Sequence, residues 1–405
     1  MFTLFKIAVV FAGVLLLLRR RVQMGLAMLA GAVGLGLLFG LAPVPFARLA
    51  FDSATSRATI ELASSILLIM LLEGVLRESG LMRLLVDSLL GLARDSRLAL
   101  ATLPALIGFL PSPAWSRFLA PIVGEITAGT GASSVRKAFI SYWFQHVTAY
   151  ISPLFPALVL GSHLLAVPLS TLIVAMLPVA VAATAIGAPF AFAGLPASAV
   201  GSGLPKERLR ALLGLSRGAA PAAAVVALVL LDVNVTLALA GVVGASALVF
   251  RFGPRRLYAI GKRAVSLAQV LTMVAIMLFK DVLVGSGAMS DLHATLAALQ
   301  APPLAVILAF SFFAALLTGS VQSSIGMAVP MLAGLAFGEP PALFALVFVW
   351  GFAGLMLAPA HPCLVLTVQH FRASFAPVQR QVLLPEIALV AVVTVLYLLS
   401  PVGGG

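Results

Sequence analysis

Charge is scarce in this chain. Only 9% of its 405 residues are Asp, Glu, Lys or Arg, against about 25% in a soluble globular domain, and a water-exposed globular surface is thereby excluded. Cysteine occurs once, at Cys363, inside an apolar run. No intrachain disulfide can form, and a disulfide-stapled scaffold is ruled out. Neither GxxxxGK[ST], HExxH nor a paired CxxC is present, so the usual residues for ATP-driven work and zinc hydrolysis are missing. No enzymatic activity and no cofactor are expected. The net charge of +12 would suggest nucleic acid in a soluble chain; in a membrane chain it reads first as a topology signal, and no nucleic-acid partner is expected.

What the chain has in abundance is apolar residues, 62% of the total, with a mean hydropathy of +1.16. They fall in runs of about 15–25 residues, the length that crosses ~30 Å of hydrocarbon. These runs are apolar on every face, unlike the alternating strands of a barrel. The expected fold is therefore an all-α polytopic membrane protein with about ten transmembrane helices in the lipid bilayer. The spans fall near residues 3–18, 24–42, 58–78, 138–162, 166–190, 218–231, 234–250, 265–284, 342–367 and 382–400. The first is followed by Arg19, Arg20 and Arg21 without a small-residue cleavage site, and reads as a retained span.

Two further apolar stretches, 98–128 and 302–336, are interrupted by Pro111-Ser112-Pro113 and by the polar run from Thr318 to Ser324. Lipid would not tolerate such tips unless they are buried or face water, and both stretches read as re-entrant hairpins. With hairpins that do not cross, twenty loop lysines and arginines, the first Arg19 and the last Arg380, fall on one side of the membrane, and only Arg48 and Arg57 fall on the other, with Arg117 and Lys280 at membrane depth. The positive-inside rule then puts the first side in the cytoplasm of a cell (inner) membrane and both termini outside it.

The sequence also repeats itself. IMLLEGVLRESGLM from Ile69 aligns without gaps to IMLFKDVLVGSGAM from Ile276, and eight of the 14 positions are identical. SPLFPALVL from Ser152 matches APAHPCLVL from Ala358 at nearly the same offset. The chain divides into a first repeat over 1–194, a cytoplasmic linker over 195–217 and a second repeat over 218–405. Each repeat holds five crossings and one hairpin. An odd number of crossings inverts the second repeat relative to the first.

The paired prolines, Pro153 with Pro156 and Pro359 with Pro362, must break their helices. Pro156 and Pro362 suit the first position of a new half-helix, whose free amides then point toward mid-membrane and favour an anion. The hairpin tips add hydroxyls and amides from Ser112, Ser116, Thr318, Ser320, Gln322, Ser323 and Ser324, with Ser152 at the first break. Together they would enclose one substrate-binding site for a small anion, although each hydroxyl alone would merely satisfy a backbone carbonyl. Arg117 near the first tip reads either as an anion contact or as a partner of Glu125 or Glu73. Glu73, Lys280 and Asp281 read as structural ion pairs or snorkelling groups. His361 in the second break and His146 before the first are candidates for moving a coupling proton, or are hydrogen-bonded core histidines. No metal is assigned.

The segments FISYWFQHVTAYISPLFPALVLGS, ALIGFLPSPAWSRFLAPIV and APAHPCLVLTVQHF resemble a prokaryotic integral-membrane family catalogued as domain of unknown function 401, which is grouped with the ion-transporter superfamily. The resemblance implies a secondary carrier with inverted repeats, two hairpins and two interrupted helices, coupled to a proton or sodium ion. It also implies a homodimer of the elevator type, in which a transport unit slides across a fixed scaffold. Relatives include carriers of dicarboxylates, citrate, gluconate and arsenite as well as sodium/proton antiporters, and cation/proton antiport is the alternative within transport. A membrane enzyme or flippase acting on a lipid-linked substrate is the reading outside transport. The chain departs from the pattern at Ala114 to Arg117, where relatives are glycine-rich, and at Gln145 and Ala149, where they tend to carry arginine and glutamate.

Overall fold

The computed structural model describes residues 2–92, 95–109, 114–196, 205–289, 291, 294–295, 302–332 and 339–399. Among the described residues every regular element is helical. The helices run, in chain order, α1 (Phe2–Arg19), α2 (Met24–Leu38), α3 (Pro43–Thr55), α4 (Arg57–Glu78), α5 (Leu81–Leu92), α6 (Ser96–Gly108), α7 (Ala114–Ile126), α8 (Ser134–His146), α9 (Pro156–Leu165) and α10 (Leu169–Phe192). After the chain midpoint come α11 (Pro205–Leu230), α12 (Val235–Val249), α13 (Pro254–Ala264), α14 (Leu267–Gly285), α15 (Pro303–Thr318), α16 (Val321–Ala328), α17 (Pro340–Leu357), α18 (Pro362–His370) and α19 (Phe375–Leu399).

Six of these are long and apolar enough to cross a bilayer: Arg57–Glu78, Leu169–Phe192, Arg208–Leu230, Leu267–Gly285, Pro340–His370 counted through its break, and Phe375–Leu399. The other stretches expected to cross are α1, α2, α12 and the broken run of α8 and α9. At 15 residues each, α2 and α12 are about 22 Å long, short of a full hydrocarbon core. Branched aliphatic residues stand exposed along the long helices, among them Val174, Leu177 and Val181 on α10 and Leu384, Ile387 and Leu396 on α19. Such an apolar exterior suits lipid and not water.

Local sequence sets the helix starts. Ser56, Ser133 and Asn234 cap α4, α8 and α12, each side-chain oxygen accepting an amide of the first turn. Three short helices, α3, α5 and α13, lie outside the expected spans and hairpins. Helix α13 buries Ile260 alone while leaving Arg255, Arg256, Lys262 and Arg263 to the surface, and α5 buries Leu81, Met82, Leu85, Val86 and Leu89. A window wide enough to detect a span averages such helices away.

Packing sorts the helices into two groups. In one, the broken helices α8, α9, α17 and α18 are flanked by α6, α7, α15 and α16 and covered by α10 and α19. In the other, α4 and α14 pack together with α2, α3, α12 and α13, while α5 packs on α11 and α11 on α12. A column of rings holds the first group together. Phe348 stacks on Phe352 at 5.7 Å, and Phe352 meets Tyr150 of the first break at 4.6 Å; such pairs add about 0.5–1.5 kcal/mol beyond their buried area. Tyr142 Oη donates to the Met356 carbonyl at 3.1 Å, tying one broken helix to the other.

Candidate functional site

Both breaks restart at proline. Helix α8 ends at His146, a 3-10 turn covers Val147–Tyr150, and α9 begins at Pro156; in the second half α17 ends at Leu357 and α18 begins at Pro362. Phe155 and His361 precede them in extended conformation, the one a residue before proline prefers. Between α15 and α16, Gly319 takes φ +66, a left-handed conformation that favours glycine, and Ser320 caps α16 by accepting the Ser323 amide at 3.4 Å.

These three helix starts meet at one cavity of about 390 Å³. Gln145, His146 and Pro156 reach it from the first break, Ser320 and Gln322 from the second tip, and His361, Pro362 and Cys363 from the second break. The facing wall is Ile66, Ile69, Met70 and Glu73 of α4 with Ser266 and Gln269 at the start of α14. The cavity therefore lies on the seam between the two packing groups. Arg77 and Arg263 stand at its mouth, 57% and 78% exposed. Arg77 pairs with Glu73, and Arg263 lies 3.6 Å from Glu78. Glu73 is the one carboxylate among the described lining residues. Three helix N-termini, each carrying roughly half a positive charge, thus face a chamber whose single acid is already paired.

The two histidines touch. His146 Nδ1 lies 2.6 Å from the Tyr142 carbonyl, and a carbonyl can only accept, so this nitrogen carries the proton. The Nε2 of neutral His146 is then an acceptor. It faces His361 Nε2 at 3.1 Å, and His361 must be the donor across the pair. That leaves His361 Nδ1 buried without a hydrogen-bond partner among the described residues. Beside them, Ser116 Oγ donates to Gln145 Oε1 at 3.0 Å, and the Gln145 amide faces Cys363 Sγ at 4.0 Å.

The structure brings together only part of the residue set expected from sequence. His146, His361, Pro156, Pro362, Ser320 and Gln322 line the cavity. Ser116 stands one shell behind, holding Gln145. Ser323 and Ser324 are buried but turned elsewhere, toward Met24 Sδ at 3.2 Å and Ser311 Oγ at 2.6 Å. Ser152 donates to the Phe109 carbonyl and Thr318 to the Ala314 carbonyl, serving backbone rather than cavity. Pro153 and Pro359 sit in the links ahead of the restarts and do not line it. Arg117 is exposed and off the cavity wall. One residue along α7 turns the side chain by about 100°, so with Ser116 facing Gln145, Arg117 faces outward. Ser112, with Pro111 and Pro113, lies outside the described residues. Lys280 pairs with Asp281 at 3.0 Å.

Several lining groups carry no sequence signal as site residues. Gln145 and Cys363 stand inside apolar runs, and Arg77 and Arg263 look like ordinary loop charges. Glu386 of α19 is buried in an apolar setting with Oε2 unpartnered among the described residues, away from the cavity. A second hollow of about 540 Å³ opens around Arg57, Glu61, His163 and Asp232 at the far end of α9. Gly214-Leu215-Ser216-Arg217-Gly218 fits GxSxG, but it runs mid-helix in α11 with the Ser216 hydroxyl on the Leu213 carbonyl. A nucleophile elbow needs a strand-to-helix turn.

No curated protein matches this chain. The family described as protein of unknown function (DUF401) matches residues 1–400, and the chain belongs to that family.

Proposed function

We propose that the protein is an ion-coupled secondary carrier of a small organic anion, of the ion-transporter superfamily, working by an elevator-type movement in a cell (inner) membrane. In this reading the group around the broken helices is the transport unit, and the group around α4 and α14 is the scaffold. The two halves form inverted repeats: α4 answers to α14, and α8–α9 to α17–α18. Ten crossings and two re-entrant hairpins, α6–α7 and α15–α16, leave both termini outside the cytoplasm, and the protein works as a homodimer.

The support for this reading is the cavity on the seam, which receives both proline restarts and the second hairpin tip. Donor-rich helix starts offset much of an anion's desolvation cost, and a lining with one paired carboxylate favours an anion over cation/proton antiport. Exposed arginines at the mouth favour a water-borne substrate over a lipid-linked one. Helix α9 adds a path. Its start lies at the 390 Å³ cavity and its end at the 540 Å³ hollow, roughly 14 Å apart at 1.5 Å per residue. A displacement of that size would deliver the site to the opposite face.

A thermal-shift screen of carboxylates and inorganic anions on purified protein, with and without sodium at two pH values, tests the reading. An anion at about 100 times its Kd should stabilise by about 2.7 kcal/mol. Gln322→Leu should reduce that shift, and Arg117→Gln should leave it unchanged. If no anion shifts the transition under any condition, or only Arg117→Gln abolishes the shift, this site is not the anion site.

A further inference from the structure

His146, His361 and Cys363 bring two imidazoles and a thiol to one point. Their ligand atoms all lie within 4.8 Å of one another, and all three residues are buried. We propose that these three side chains form a binding site for Zn2+ in the cavity wall.

The ligand geometry fits. Two Nε2 atoms 3.1 Å apart subtend about 100° at an ion ~2.05 Å from each, near the tetrahedral value that zinc adopts. The Cys363 sulfur needs to close by about 1 Å to reach the ~3.6 Å nitrogen–sulfur separation of such a site. Cys363 has room to do so, since its side chain borders open cavity. Backbone placement holds the set. His361 is the N-cap and Cys363 the second residue of α18, with Pro362 fixing the chain between them.

The surroundings are those of a ligand set. A metal-binding histidine ordinarily donates its other ring nitrogen to a backbone carbonyl, which fixes the ring and the tautomer; His146 Nδ1 does so to Tyr142 at 2.6 Å. His361 carries the second, independent sign. Its Nδ1 is buried without a hydrogen-bond partner among the described residues. Without metal the Nε2 proton of His361 bridges the two rings. When Zn2+ binds, that proton moves to the open Nδ1, and both Nε2 lone pairs become ligands. The Cys363 thiol releases its proton to solvent as the Zn–S bond forms. Gln145, held by Ser116, donates toward the sulfur. Two neutral nitrogens and one thiolate leave the site at +1 with a fourth position toward the cavity, where water or an anion would sit.

The test uses purified full-length protein stripped with a chelator and dialysed against Zn2+, with metal counted per chain. About one ion per chain is expected, and Cys363→Ser or His361→Gln should each weaken binding tenfold or more. His370→Gln, remote from the cluster, should not. Co2+ should give a thiolate-to-metal charge-transfer band that Cys363→Ser removes. Cys363 is the chain's one cysteine, so Zn2+ should also slow maleimide labelling of the wild-type protein, a readout that needs no variant. Substoichiometric zinc, binding indifferent to both substitutions, or labelling unaffected by Zn2+ would overturn the proposal. None of these readouts involves an anion, so the site and the carrier reading fail or stand separately.

Discussion

Gly108→Ala should be the most damaging single-methyl change in the protein. A Cβ at Gly108 would lie 1.7 Å from the Gln145 carbonyl oxygen and 2.6 Å from its carbon. Both partners are backbone, so no rotamer can relieve the overlap; α6 would have to back away from α8 by about 1.5 Å to reach ordinary van der Waals distance. That movement stretches the bonds from Thr148 Oγ1 to the Ala105 carbonyl and from Ser152 Oγ to the Phe109 carbonyl, both 2.8 Å. Overpacking costs about 1–3 kcal/mol and each of the two lost bonds about 0.5–1.5, so a loss of about 2–6 kcal/mol is expected. Gly124→Ala on α7 makes the control. Its Cβ would meet only Phe371 at 3.7 Å, and alanine in a helix should gain up to about 1 kcal/mol. Tryptophan-detected thermal unfolding in detergent compares the two. Equal transition temperatures would mean that α6 and α8 are not packed as described.

Locking the second hairpin to α14 should stop transport. A Cβ at Gly326 of α16 would lie 2.9 Å from Ile276 Cγ2 and 3.1 Å from Cγ1. Those atoms are bonded to the Ile276 Cβ, so the two Cβ atoms are within about 4.5 Å, inside disulfide reach. In a Cys363→Ser background, Ile276→Cys with Gly326→Cys should oxidise to a bond that joins the proposed transport unit to the scaffold. Uptake into proteoliposomes of whichever anion the thermal screen identifies should fall to background on oxidation and return with reductant. Neither single substitution should respond to oxidant. Undiminished uptake by the fully cross-linked protein would show that the hairpin need not move past α14.

The breaks were legible because prolines come in pairs at matching points of both halves, with Pro156 and Pro362 suited to a first helical position; single prolines such as Pro104, Pro178 and Pro385 lie inside continuous helices. Their shared cavity was legible because the motif repeats in both halves. Side-chain direction at the second tip was not. Ser320 and Gln322 face the cavity while Ser323 and Ser324 face Met24 and Ser311, and a run of adjacent polar residues on a helix necessarily distributes over several faces. Arg117 follows the same rule on α7. Cys363 and Gln145 were invisible as site residues since an isolated thiol or amide in an apolar run gains meaning only from what packs beside it. The amphipathic helix α13 escaped for the opposite reason, its charges outweighing the residues that dock it.

The central claim is that the cavity on the seam is exposed in turn to the two sides of the membrane. Gln322 lines it, and a cysteine there in the Cys363→Ser background gives a probe that needs no knowledge of the substrate. In sealed vesicles of both orientations, a membrane-impermeant maleimide should label Gln322→Cys from either face. With the 276–326 disulfide closed, labelling should survive only from the face where Arg77 and Arg263 stand. Labelling from one face alone in the unlocked protein, at every incubation time and with each candidate anion, would contradict alternating access.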